Sequence, residues 1–222
     1  MKGANISEII RIASNVSVIF PLAVYLAKAS YASKRIHIIG MLVIVSGVCD
    51  VVGMYLFRQS SATAALFNAY YVIMFALMFW FYYEVVFIKS RRLIIWIGLA
   101  VYLQSFILIT LYVQSFFEYQ TLLWVITGII MIIFSIEYFL YLFSARPTVN
   151  LLNYTTMWIN SGVMVYFGFN LFLFLITNYV FTHLDREASI LLWSFHNVNN
   201  ILKNILFGIG LSMHRKKIAD FQ

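Results

Sequence analysis

Seven apolar runs, each about 20 residues long, constrain this chain more than any other feature, since a helix of that length crosses a bilayer. They fill nearly all of the 222 residues and leave no room for a soluble catalytic or DNA-binding domain. The sequence therefore predicts one all-α membrane domain over residues 1–222. Its predicted spans, numbered 1 to 7, are 12–29, 36–57, 64–88, 93–112, 122–143, 152–176 and 188–213.

The composition agrees with a membrane protein and disfavours the soluble classes. The chain is 63% hydrophobic and 10% charged, whereas soluble domains are about 45–50% apolar and about 25% charged. A net charge of +7 could suggest nucleic acid, but the basic residues lie in short loops, so we expect lipid and no nucleic-acid partner. The single cysteine, Cys49, excludes an internal disulfide and a multi-cysteine metal site.

The basic residues mark alternate loops and so predict the orientation. Every basic cluster falls on one side of the membrane. By the positive-inside rule we therefore expect a protein of a bacterial-type inner membrane, with its N-terminus outside and its C-terminus in the cytoplasm. A cleaved signal peptide ending near Ala27-Lys28-Ala29 is the alternative, but it would leave Lys34 and Arg35 on the translocated side. The clusters are Lys28, Lys34 and Arg35; Lys89, Arg91 and Arg92; Arg146; and Arg215, Lys216 and Lys217. The opposite loops hold Arg58, and Arg186 between Asp185 and Glu187.

Spans 2 and 6 share a spacing of small residues. Ser46-Gly47-Val48 is followed by Gly53, and Ser161-Gly162-Val163 is followed by Gly168. This spacing would suit two parallel three-helix repeats joined by span 4, the 3+1+3 arrangement of some transporters. The alternative is that small residues are common wherever membrane helices pack closely.

The stretch from Trp193 to Phe207 in span 7 carries more polar residues than lipid would tolerate. On a helix these residues share one broad face, which must look into the bundle, where it finds partners, water or a ligand. We predict a polar pocket lined by Trp193, His196, Asn197, Asn200, Lys203 and Asn204 of span 7, with Asp50, Glu137 and Asn160 from spans 2, 5 and 6. The alternative is that these groups only join helices through hydrogen bonds.

Depth along the helices predicts two charge pairs in this pocket. His196 lies about 10 Å below the outer edge of the membrane, at the level of Asp50. Lys203 and Glu137 both lie about 21–22 Å below that edge. An unpaired charge near the bilayer centre costs about 2.5–3.5 kcal/mol, so we expect Asp50 to pair with His196 and Glu137 with Lys203.

Enzymatic chemistry finds little support in the sequence. A membrane zinc hydrolase needs three converging ligands, but His196 is the only histidine inside span 7, and His37, His183 and His214 lie at helix ends, in a loop or in the tail. Paired aspartates and a Gly-x-Ser-x-Gly motif are also missing. We therefore expect a protein that is not an enzyme and has no metal.

Span 7 resembles the last helix of the microbial rhodopsins. Lys203 lies mid-helix in the seventh span of a bundle with its N-terminus outside, one turn after Asn199 and before Phe207-Gly208. The resemblance implies retinal bound to Lys203 as a Schiff base. Asn199 stands where that family has an acidic residue, and span 3 has no carboxylate before Glu84, so no cofactor is the favoured expectation.

Trp193, His196-Asn197 and Asn200 with Asn204 also resemble the last helix of bacterial seven-helix membrane proteins associated with sensor histidine kinases. That resemblance implies a receptor or sensor subunit for signal transduction, which would bind a small ligand or a proton and relay the event to a kinase or within a homo-oligomer. A small-solute transporter using the same polar groups is the alternative.

Overall fold

The computed structural model describes residues 2–56, 60–86, 88–145, 151–183 and 186–214, and they form helices and no strand. The all-α fold is confirmed. The helices are α1 (Lys2–Ser17), α2 (Ile19–Lys28), α3 (Lys34–Leu56), α4 (Ser60–Val85), α5 (Lys89–Tyr112), α6 (Thr121–Ala145), α7 (Thr155–His183) and α8 (Arg186–Met213), with short 3-10 turns at Ala29–Tyr31 and Leu151–Asn153.

Within the described residues, six helical segments are long and apolar enough to cross a membrane. α1 and α2 together make the first of them, Ile6–Tyr31, and α3 to α7 make the others. α8, which corresponds to predicted span 7, is not one of these six segments, so its crossing of the membrane remains a prediction. Its 28 residues are about 42 Å long, and the polar stripe lowers its hydrophobicity.

The first span is longer than the sequence indicated, and it is broken. Helix begins at Lys2 instead of residue 12 and is interrupted at Val18. Pro21 explains the break, because it has no N–H to donate to the carbonyl of Ser17, four residues earlier. The next amide, that of Leu22, donates to the carbonyl of Val18 at 3.1 Å and resumes the helix.

The helices form a ring in chain order. Each long helix packs against its neighbours in the sequence, and α8 closes the ring by packing against both α1 and α2. α4 also contacts α6 across the interior, so little space is left at the centre.

The predicted basic clusters that the structure describes gather at one end of the bundle. Lys28 donates to the carbonyl of His214 at 2.7 Å, which ties the end of α2 to the end of α8. At the same end Lys34 pairs with Glu84 at 2.6 Å and Arg91 with Glu137 at 2.7 Å. We refer to this as the basic end. Arg58, Arg146, Asp185 and Arg215 to Lys217 lie outside the described residues.

A polar network seals the opposite end. The side chain of Asn68 is fully buried and donates to the carbonyls of Phe116 and Glu118, at 2.8 and 2.7 Å, in the loop between α5 and α6. The amide of Gln120 donates back to the Asn68 side chain at 3.3 Å. Asn68 thereby fixes the loop between α5 and α6 to the end of the bundle opposite the basic end, which we call the sealed end.

The glycines of the long helices differ sharply in the space around them. A Cβ added at Gly98 would lie 2.5 Å from the ring of the buried Phe134, whereas one added at Gly168 meets nothing within 4 Å. Of the four glycines in the matched spacing, Gly162 packs on Phe207 of α8, while Gly168 packs on no atom within that distance. The internal repeat remains a prediction.

These two glycines give a matched pair of substitutions. Gly98→Ala should lower the free energy of unfolding by about 1–3 kcal/mol, because Phe134 must move. Gly168→Ala should be neutral or stabilise by up to about 1 kcal/mol, since alanine favours a helix and the space is free. Unfolding in detergent measures both, and equal effects would mean that α5 and α6 do not approach as closely as described.

Candidate functional site

The polar stripe of α8 does not line a single pocket. α8 lies between α7 on one side and α1 and α2 on the other, so its polar residues contact different partners. His196 and Asn199 contact α7, and Asn200 and Asn204 contact α1. Lys203 faces the interior of the bundle.

His196 is held by a chain of amides from α7. Its Nδ1 lies 3.2 Å from Oδ1 of Asn170, whose Nδ2 donates to the carbonyl of Tyr166 at 2.8 Å. Since Oδ1 can only accept, Nδ1 of His196 is assigned as the donor. Asn199 also donates to Oδ1 of Asn170, at 3.3 Å. The buried Asn170 therefore fixes both the position and the tautomer of the imidazole.

Aromatic rings enclose the same imidazole. The ring centroids of Trp193, Tyr166 and Phe174 lie 5.0, 5.6 and 6.2 Å from that of His196. The cluster continues through Phe174 to Trp124 and Tyr71, whose rings stack at 5.0 Å. It reaches the sealed end at Tyr119, which contacts Trp124 edge to face.

Asn200 and Asn204 bind the first span. Asn200 donates to the hydroxyl of Ser14 at 3.0 Å, and Asn204 donates to that of Ser17 at 2.7 Å. Ser17 is the last residue of α1, next to the break at Val18. These two residues act as interhelical hydrogen-bonding groups between α8 and α1.

Lys203 is a buried cation in the bundle interior. Its side chain is 8% exposed, and its Nζ lies 4.7 Å from the centroid of the Tyr166 ring. Among the described residues, no carboxylate lies within 4.0 Å of this Nζ. Helical side chains lean toward the N-terminus, so the lysine points away from the basic end, deeper into the bundle.

The electrostatic partner of Lys203 is Asp50 of α3. Each of the two charges lies within the electrostatic influence of the other, although the groups are more than 4.0 Å apart and form no ion pair. Oδ2 of Asp50 is buried and has no hydrogen-bond partner among the described residues. Tyr70 and Tyr166 lie in the same part of the interior, near enough to Asp50 to be within its electrostatic influence.

Both predicted charge pairs are wrong. Glu137 pairs with Arg91 of α5 at 2.7 Å instead of Lys203, and His196 bonds to Asn170 instead of Asp50. The depth of a residue along its helix does not give the direction in which the residue faces. α6 packs on α4, α5 and α7, so Glu137 faces away from α8.

Asn160 belongs to a different contact from the other predicted pocket residues. Its Oδ1 accepts from the hydroxyls of Tyr82 at 2.7 Å and Ser135 at 2.9 Å, and its Nδ2 donates to the carbonyl of Ser135 at 3.1 Å. This buried knot joins α4, α6 and α7. Asn197 is half-buried on α8.

A small cavity lies beside Lys203. Its volume is about 20 Å³, and its walls are mainly apolar: Leu42, Tyr70, Met74, Met78, Val163, Tyr166, Phe167, Lys203 and Phe207. That volume admits one water molecule, whereas pockets for small organic ligands measure about 300–1,000 Å³. In this conformation the site accommodates water and protons but no larger ligand.

Several residues of this site were absent from the predicted set. Tyr70 and Tyr166 were hidden among 15 tyrosines, so their number gave no signal. Asn170 could have been found, because it is a carboxamide inside span 6 that needs a partner in lipid. Ser14 and Ser17 could also have been found, since they lie three residues apart on one helix face.

Among the described residues, no three side chains of His, Cys, Asp or Glu come close enough together to hold a metal ion. Comparison with protein-family models, curated proteins and solved structures gave no match.

Proposed function

We propose that this protein is a non-enzymatic membrane receptor or sensor subunit whose sensing element is the buried pair Asp50 and Lys203. The observation that carries the proposal is geometric: Lys203 is buried with no carboxylate within 4.0 Å of its Nζ, and Oδ2 of Asp50 is buried with no hydrogen-bond partner among the described residues. A buried carboxylate oxygen without a partner is costly, so this part of the interior is poised to gain a proton or a water.

The size of the cavity beside Lys203 supports a proton or water as the stimulus. A space of about 20 Å³ favours a proton or water over an organic ligand or a retinal chromophore in this conformation.

The contacts of α8 supply a route to the basic end. Asn204, the residue after Lys203 on α8, joins this helix to Ser17, beside the break in the first span. A change of charge at Lys203 would therefore displace the part of α8 that is bonded to the first span. α2 then runs to Lys28, which binds the carbonyls at the end of α8. With the basic end in the cytoplasm, as the positive-inside rule indicates, a shift of α8 would reach a cytoplasmic partner such as a histidine kinase.

Spin labels can test this relay in lipid vesicles. In a Cys49→Ser background, labels at Leu26→Cys on α2 and Met213→Cys on α8, both exposed, report the distance between the two helix ends. We expect this distance to change when the pH is varied between about 9 and 5, because a buried lysine or carboxyl that gains or loses a proton changes the charge beside α8. The response should disappear in the Asp50→Asn, Lys203→Met double variant.

Two results would contradict the proposal. An unchanged response in the double variant would move the sensing element elsewhere, and a constant distance across the range would exclude a proton-driven shift. A pH dye enclosed in the same vesicles separates sensing from transport. Sustained proton flux that Lys203→Met abolishes would favour a transporter.

A further inference from the structure

α5 lies at the edge of the bundle with most of its surface uncovered. Only 22% of its most apolar window is buried, compared with 56% for α6. It contacts α4 and α6 and no other long helix extensively. This helix therefore offers the bundle's broadest lipid-facing surface among α3 to α7.

One polar residue interrupts this surface. Gln104 is exposed, about 22 Å along α5 from Lys89 and so within the hydrocarbon core. Among the asparagines and glutamines of α1 to α8 whose burial the structure describes, it is the one that is exposed. It makes no hydrogen bond to another described side chain, and an unpaired carboxamide in hydrocarbon costs several kcal/mol.

The neighbours of Gln104 form a seam with heptad spacing. Steps of three and four residues alternate through it, the a and d pattern of helices that pair along their length. Apart from the half-buried Ile94, its apolar members are all exposed, from 44% at Val101 to 68% at Leu111. The α5 seam consists of Ile94, Ile97, Val101, Gln104, Leu108 and Leu111.

An apolar groove adjoins the seam. It lies between α5 and α6, has a volume of about 320 Å³ and is open on one side. Ile94, Ile97 and Val101 belong both to the seam and to the wall of the groove. A helix laid on the seam would therefore cover the groove as well.

We propose that the α5 seam is the interface of a homodimer and that Gln104 pairs with Gln104 of a second copy. All copies insert in the same direction, so α5 meets α5 in parallel, and each seam residue faces its own counterpart about a two-fold axis. A carboxamide both donates and accepts, which makes Gln104 complementary to itself. A lipid chain could fill the groove but would leave the carboxamide unpaired.

Cysteine crosslinking tests the seam at single-residue resolution. In a Cys49→Ser background, oxidation of membranes should give a disulfide-linked dimer for Gln104→Cys. Leu103→Cys is the matched control, since Leu103 is also exposed but points about 100° away around the helix. Equal crosslinking at the two positions would overturn the proposal, because random collision would explain it.

Self-association measured by fluorescence energy transfer in vesicles tests the carboxamide itself. Gln104→Leu should weaken the dimer about three- to thirtyfold, the range expected for an interhelical hydrogen bond in lipid, and Gln104→Asn should retain most of the affinity. Leu103→Ala should leave it unchanged. A protein that is monomeric at all densities, or that dimerises equally well with leucine at position 104, refutes the pairing.

Discussion

Replacing Lys203 with methionine should lower the free energy of unfolding by about 3 kcal/mol, the cost of leaving a charge alone in a membrane interior. The charge left alone is Asp50, since the side chains interact electrostatically across the bundle. Asp50→Asn alone should cost a similar amount, because it leaves the buried ammonium of Lys203 with the Tyr166 ring as its principal partner.

The double variant decides whether these residues act together. Asp50→Asn with Lys203→Met leaves no isolated charge, so it should recover much of the loss from either substitution. Thermal or denaturant unfolding in detergent measures the cycle. Additive losses, within about 0.5 kcal/mol, would show that Asp50 does not compensate Lys203.

The pairing of Glu137 supplies the control for this cycle. Glu137 forms its ion pair with Arg91, and α6 does not pack extensively on α8. Combining Glu137→Gln with Lys203→Met should therefore give additive losses. Coupling between Glu137 and Lys203 instead would place both charges in one network.

The fold was largely predictable because lipid imposes simple rules. Every backbone polar group must be satisfied within the chain, so apolar runs of sufficient length become helices. Span 2, predicted over 36–57, is the helix Lys34–Leu56. The first span was predicted poorly because Lys2–Ser17 mixes polar and apolar residues, and the lead of residues 1–11 looked too polar for helix.

The site was less predictable because the sequence gives the position of a residue along its helix but not the direction in which its side chain points around the helix axis. Residues 196, 200 and 203 lie within two turns of one helix, yet His196 contacts α7, Asn200 contacts α1 and Lys203 points between them. A broad polar face can thus serve two helix contacts and a buried charge simultaneously. Which neighbour each residue meets depends on the order of helices in the ring, which hydropathy does not specify.

Asn160 joins three helices through its hydrogen bonds. After the substitutions of Asp50 and Lys203, its replacement should have the next largest effect on the free energy of unfolding. Asn160→Leu removes the acceptor of the buried Tyr82 hydroxyl, leaves the Ser135 hydroxyl with only the backbone carbonyl of residue 160 at 3.2 Å, and removes the donor to the Ser135 carbonyl. Each unsatisfied buried group costs about 1–3 kcal/mol, so we expect a loss of about 2–4 kcal/mol in the free energy of unfolding. Asn200→Ala should cost less, about 0.6–1 kcal/mol, since it removes one half-buried bond to Ser14.

Substituting the partners of Asn160 as well shows whether the loss of stability comes from the missing hydrogen bonds or from buried hydroxyls that are left without a partner. If stranded hydroxyls cause the loss, the triple variant Asn160→Leu, Tyr82→Phe, Ser135→Ala should be more stable than Asn160→Leu alone, although it lacks more polar atoms. Were leucine merely too bulky beside α4 and α6, the triple variant would be no more stable. The pH response of the spin-labelled relay should survive in the triple variant, because the knot holds α4, α6 and α7 together without touching Lys203.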